Sequence, residues 1–202
     1  MSTFQQLQDR ITGDYLNRTD LASETQRAIQ AAVRKYERKR FWFNETATSV
    51  ACVASVSSVA VPSNFLELDL LQVTESSANV ELIEKDLKWI RRANAVPTHG
   101  IPTHFTIYQN RIELFPIPDS AYSLPIYYLH KFATLSAGSD TSEWTSAVED
   151  VIVYHATKLL WATVLRNPDN ASIFQALEQE ALVSVLGEKE QRQLTSIKPT
   201  RF

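Results

Sequence analysis

The sequence predicts an α+β protein. Its N- and C-terminal helices are expected to form a helical bundle, interrupted by a β-rich antiparallel insertion and followed by an extended C-terminal arm. Three observations carry that expectation. Apolar residues recur at spacings of three and four over residues 1–42 and again over 140–187. Over 43–139 the pattern changes to Val-, Ala- and Ser-rich runs and strict alternation. The final stretch, 188–202, is polar and patternless apart from Leu194, Ile197 and Phe202. Helices at the two ends are expected to pack together, because neither pair alone can bury its apolar face.

Taken in order, Phe4, Leu7, Ile11 and Tyr15 form the stripe of a first helix that starts after Thr3, with Gly13 and Asn17 offering an end. A second helix follows. Ser23 and Gln26 have the spacing of a capping box, and Asp20 and Glu24 suit the positive end of the helix dipole. Leu21, Ala28, Ile29, Ala32, Val33 and Tyr36 give it a buried face, while Arg34, Lys35, Arg38, Lys39 and Arg40 crowd its last turns. That basic cluster reads either as a solvated end matched to the dipole or as a contact with phosphate, as in a DNA channel, or with an acidic partner. Phe41-Trp42-Phe43-Asn44 then ends the helix, and at least one of the three aromatics is expected to anchor elsewhere.

In the insertion, Val50–Val61 reads as strand, and Leu66, Leu68 and Leu70 alternate with Glu67 and Asp69 as a half-buried strand does. Phe105–Phe115 reads as a hairpin turning near Gln109-Asn110, and Ile126–Phe132 as a further strand. Glu84–Ala95 suggests a short helix carrying Trp89, Ile90, Arg91 and Arg92, with Pro97, Gly100 and Pro102 punctuating the loop beyond. Helical spacing returns with Trp144, Val148, Val151, Ile152, His155, Leu159 and Ala162, opened by Thr141 or Ser142. Asn167-Pro168 stops that helix and starts the next, whose stripe is Ile173, Phe174, Leu177, Ala181, Leu182 and Val185, with Gly187 as its expected C-terminal cap.

The chain has 202 residues, 20 Lys and Arg against 23 Asp and Glu, and a formal net charge of −3, so no basic excess argues for sequence-independent nucleic-acid binding. The single cysteine, Cys52, allows no internal disulfide and no thiolate metal site by itself, and reads as a small strand residue. No apolar run is long enough to span a membrane, because Thr46–Phe65 is broken by serines and Pro62. His99 and His104 lack the neighbouring carboxylate or thiolate that a zinc site needs. His155, on an apolar stripe, reads as a satisfied core or interface histidine. No serine sits in a Gly-x-Ser-x-Gly elbow or four residues' span from a lysine, and with 4 glycines there is no glycine-spaced nucleotide loop. No catalytic residue, metal site or cofactor is therefore expected.

Several motifs recur in a telling order. Lys39-Arg40-Phe41-Trp42-Phe43-Asn44 closes a basic helix, and Val61-Pro62-Ser63-Asn64-Phe65-Leu66-Glu67-Leu68 follows. A hairpin ends in Leu114-Phe115-Pro116-Ile117-Pro118, and the next strand carries Ile126-Tyr127-Tyr128-Leu129-His130-Lys131. A helix opened by Trp144 then continues through Asp150-Val151-Ile152-Val153-Tyr154-His155-Ala156. This order resembles the head-to-tail adaptor (head-completion, connector) proteins of tailed bacteriophages, of the short-tailed phage type. The resemblance implies a virion structural protein assembled in the host cytoplasm and located at the head–tail junction. It implies a homo-oligomeric ring, commonly a dodecamer, that docks on the portal protein, extends the DNA channel and offers a tail attachment site. Expected partners are the portal, the tail nozzle, tail tube or tail fibre proteins, other copies of the chain, and DNA in transit, with no membrane. The arm that grips the portal would present Arg192, Leu194, Ile197, Lys198, Arg201 and Phe202. Two other readings stay open at this point: a tail-side stopper or nozzle subunit, and a small-molecule or glycan-binding module with a pocket near Trp89, His99 and His104.

Overall fold

The computed structural model describes Met1–Thr195, with side chains described through Glu188. In chain order the elements begin with helices α1 (Phe4–Asp9) and α2 (Ala22–Tyr36) and a tight turn at Trp42–Asn44. Strands β1 (Glu45–Ala51), β2 (Ser58–Ala60), β3 (Phe65–Glu75), β4 (Ala78–Glu81) and β5 (Ile83–Glu84) lead to helix α3 (Leu87–Ala93). Strands β6 (His99–Gly100), β7 (His104–Tyr108), β8 (Arg111–Phe115), β9 (Ile117–Pro118) and β10 (Ser123–His130) follow, and then helices α4 (Glu149–Leu159) and α5 (Pro168–Thr195). The chain is α+β, as expected, and divides into two compact units: Met1–Phe43 with Phe132 onward, and Asn44–Lys131.

The helical unit is thus made from both ends of the chain. Thr3 caps α1 through a reciprocal box, its hydroxyl accepting from Gln6 N at 3.2 Å while Gln6 Oε1 accepts from Thr3 N at 2.8 Å. The next two N–H groups of α1 go to the distant segment 138–140, Phe4 N to Asp140 O at 2.8 Å and Gln5 N to Gly138 O at 2.9 Å. A Cβ on Gly138 would lie 3.1 Å from Gln5 Oε1 and 3.3 Å from Gln5 Cβ, so a side chain there would crowd Gln5. Phe4, Leu7 and Ile11 are fully buried and Tyr15 half-buried, which is the expected stripe. Arg10 ties α1 to the start of α4, reaching Glu149 at 2.9 Å and Asp150 at 2.7 Å.

Both α1 and α4 run on into a wide turn, closed by Leu16 N to Ile11 O and Leu165 N to Leu160 O, each at 3.0 Å. Left-handed residues then stop them, Asn17 at φ 49° and Arg166 at φ 52°. Three sequence-based boundaries move. Ser23 is not the cap of α2: the chain turns earlier, so Ser23 falls in the first helical turn and donates to Glu24 Oε2 at 2.9 Å. Ser142 caps only a short turn at Glu143–Thr145, and α4 starts at Glu149. Gly187 does not end α5, which continues to Thr195. No glycine has positive φ, so Gly187 keeps helical geometry, and the Glu, Lys, Gln and Arg residues beyond it are good helix formers. An added Cβ at Gly187 meets nothing within 4 Å. Gly187→Ala is therefore expected to stabilise the protein by roughly 0.5–1 kcal/mol, read as a higher thermal unfolding midpoint.

The β unit holds two four-stranded sheets, ordered β1-β10-β3-β4 and β2-β8-β7-β5, and a two-stranded pair β6-β9. Pairing is antiparallel except for β5 with β7 and β6 with β9. Leu71, Val73, Leu124, Ile126 and Tyr128 from the first sheet share one core with Phe105, Ile112 and Leu114 from the second. The hairpin β7–β8 turns at Gln109-Asn110, both with left-handed φ (48° and 58°), the conformation that a two-residue turn with the right twist requires. In β3 the register against β10 slips between Tyr127 and Tyr128. The extra residue inverts the alternation, so the buried positions after Asp69 are Leu71 and Val73 rather than the even-numbered ones. Cys52, just past β1, is buried with its thiol beside Tyr122 N at 3.3 Å.

Candidate assembly surfaces

The strongest concentration of charge lies inside the helical unit. Glu178 of α5 is 4% exposed and faces α2 and α4. Its Oε1 accepts from Lys35 Nζ at 2.8 Å, from the Tyr36 hydroxyl, and from His155 Nδ1 at 2.8 Å, and its Oε2 accepts from Lys158 Nζ. A carboxylate only accepts, so His155 Nδ1 carries the proton in this contact. Burial alone would push the Glu178 carboxyl up. The donors Lys158, Lys35 and Tyr36 outweigh it and hold the group at about 2, ionised throughout the neutral range. Burial pushes His155 down, and the facing ammonium groups of Lys35 and Lys158 add to that against the pull of Glu178, so the imidazole is neutral. Burial and the Glu178 hydrogen bond push the Tyr36 hydroxyl up. The result is a bonded ionic knot joining three helices around one buried carboxylate.

That knot sorts the basic cluster at the end of α2. Lys35 is consumed by Glu178 and also lies 5.0 Å over the Tyr36 ring. Lys39 lies 5.5 Å over the same ring, and Arg40 is half-buried. Arg34 and Arg38 are exposed and make no ion pair among the described residues. The five cations are therefore engaged differently, although Arg34, Lys35, Arg38 and Lys39 are all exposed. Of the residues expected in the portal-gripping arm, Arg192 and Leu194 fall on the backbone of α5 with side chains outside the described residues. Ile197, Lys198, Arg201 and Phe202 lie wholly outside them.

Helix α5 carries apolar side chains on two sides. Ala181, Leu182 and Val185 pack against the helical core, whereas Ile173 is 56% and Val183 70% exposed. The sequence reading placed Ile173 on the inner stripe, and the structure puts it outside. In the β unit, Trp89 packs on His104 with centroids 4.9 Å apart and edge-on to Phe115 at 5.4 Å. His99 is on β6, paired with Ile117 of β9. No group of three or more His, Cys, Asp or Glu that could hold a metal occurs among the described residues, and none of their helices is long and apolar enough to cross a membrane.

Residues 2–200 match the family model of the SU10 adaptor protein, and the chain belongs to that family of phage head–tail adaptors. The resemblance read from the ordered motifs is thereby borne out. No curated protein matches the chain.

Proposed function

We propose that this adaptor is one subunit of a homo-oligomeric ring, a dodecamer, at the head–tail junction of the virion. The ring docks on the portal, continues the DNA channel and presents the attachment site for the tail nozzle, tail tube or tail fibre proteins. The observation that carries the reading is α5, a helix with apolar residues on both sides whose outer side is bare in the single chain. Exposed apolar residues repeated along one side of a helix, here Ile173 and Val183, can be covered by a neighbouring subunit. Family membership supports the virion setting.

In this reading the helical unit is the ring wall, Arg34 and Arg38 are free for partner or channel contacts, and the chain end from Arg192 to Phe202 grips the portal. A short gripping segment binds weakly once but strongly when repeated around a ring. Mixing the purified chain with portal rings and imaging the product tests the proposal. Added density forming a second ring below the portal is expected. A chain that stays monomeric beside portal rings at high concentration would overturn it.

A further inference from the structure

We propose that the ring contact is made by two stripes on opposite flanks of the helical unit, the outer face of α5 on one copy seated on the outer face of α2 on the next. This inference rests on the ring reading above and names the surfaces that build it.

The two stripes are defined by spacing and exposure. On α5, Asp169, Ile173, Ala176, Glu180 and Val183 follow one another at intervals of four and three, and all are exposed. On α2 and the turn after it, Arg27, Ala31, Arg34 and Arg38 do the same, with the three arginines exposed and Ala31 half-buried between them. Intervals of four and three keep a stripe on one side of a helix and suit side-by-side helix packing. One stripe is apolar and acidic, the other basic around a small residue.

Their relative direction follows from the knot. Tyr36 of α2 donates its hydroxyl hydrogen bond to Glu178 of α5, so these two residues mark the sides on which the helices face each other. At about 100° per residue, the α5 stripe lies roughly 140–220° round from Glu178, and the α2 stripe roughly 160–220° round from Tyr36. Each stripe is therefore on the back of its helix, and the two look away from each other.

The charges also match in distance. Asp169 and Glu180 are separated along α5 by the same number of residues as Arg27 and Arg38, about 16 Å at helical rise in each case. Both carboxylates can meet both guanidinium groups at once, while Ile173 and Ala176 lie against Ala31 and the Arg34 stem. Two α5 stripes brought together would set carboxylate against carboxylate, and two α2 stripes would gather six arginines. Like-with-like pairing is thus disfavoured, and the contact is head-to-tail. Distinct complementary patches on opposite flanks are what a closed ring requires.

The test uses two charge-reversed chains. One carries Asp169→Arg and Glu180→Arg, so both its stripes are basic. The other carries Arg27→Glu and Arg38→Glu, so both are acidic. Each variant alone is expected to assemble at least ~tenfold more weakly than the wild type, by sedimentation velocity at low salt and by imaging with portal rings. An equimolar mixture is expected to assemble again, with the two chains alternating. A second readout uses Ala31→Cys paired with Ile173→Cys or with Ala176→Cys, the two residues that lie against it: mild oxidation of one of these pairs is expected to give a covalent ladder of dimers, trimers and higher species, since Cys52 is buried. Variants that assemble like the wild type, a mixture that does not recover, or oxidation that stops at dimers would overturn the stripe contact while wild-type rings on the portal leave the ring reading standing. Wild-type chain that never enters a ring would overturn both.

Discussion

Trp144→Ala is expected to destabilise the protein by roughly 3–5 kcal/mol, the usual range for truncating a large buried aromatic. Trp144 is 1% exposed and among the largest fully buried side chains. Phe41, Phe43 and Phe132 meet it edge-on, with centroids 5.9, 5.3 and 6.0 Å away, the geometry that aromatic quadrupoles favour. Phe41 and Phe43 stack on each other at 5.1 Å, so removing the indole leaves a void bounded by rings that cannot all collapse inward. The indole N–H has no hydrogen-bond partner among the described residues, so its contribution is packing. Trp144→Phe, which discards that donor and keeps a ring, is accordingly expected to cost about 1–2 kcal/mol. Chemical denaturation with an unchanged slope reads both values. Equal midpoints for the two variants would show that ring volume does not govern this site.

Glu178→Ala is expected to cost roughly 3 kcal/mol or more, because it strands Lys158, Lys35 and the Tyr36 hydroxyl beside a buried site with no counter-charge. Glu178→Leu combined with Lys158→Met removes both ions and is expected to recover much of the loss, as apolar replacement of a buried pair often does. The pH dependence has a definite sign. The Glu178 carboxyl is held at about 2 against an ordinary 4.5, so its stabilisation is fully present above 4.5 and is lost as pH falls toward 2. His155 is also depressed from its ordinary 6.5, so the unfolded chain takes up its proton first and stability begins to fall below that pH. Thermal unfolding midpoints should therefore decline from just below pH 6.5 downward in the wild type. Glu178→Ala should lose the steep part below 4.5; a profile parallel to the wild type there would place the acid sensitivity elsewhere.

What the residues revealed in advance was whatever depended on near neighbours. The α1 stripe, the Asn167-Pro168 break and the Gln109-Asn110 turn each need only a few adjacent side chains and φ values, and each is where the periodicity puts it. The failures are non-local. Leu66, Leu68 and Leu70 alternate correctly, but the bulge opposite Tyr127 and Tyr128 is set by β10, which lies far along the chain. Ser23 is the right residue type two residues too late, because the chain has already turned before it. Residues 132–139, read with the strands, lie with the helices, where Leu135 is buried and Phe132 packs on Trp144. Glu178 carries a readable signal, since it sits four residues from both Phe174 and Leu182 on the inner side of α5. A lone charge there calls for partners, which Lys158 and His155 on the facing helix supply. The exposed side of α5 was harder still to read, because exposure of Ile173 and Val183 is decided by which side α4 occupies.

The stitching of the first helix to residues 138–140 has a temporal consequence. On the ribosome, Asn44–Lys131 emerges as an uninterrupted stretch and can close its two sheets while the remainder is still being made. The first helices have no such freedom. Phe4 and Gln5 must wait for Asp140 and Gly138, and Tyr36 must wait for Glu178. At about 5–20 residues per second, that is a delay of roughly 7–30 s during which the apolar inner faces of the early helices are uncovered. The helical unit is complete only after Glu178 has been made. A prematurely terminated chain would thus carry folded sheets without a completed helical unit.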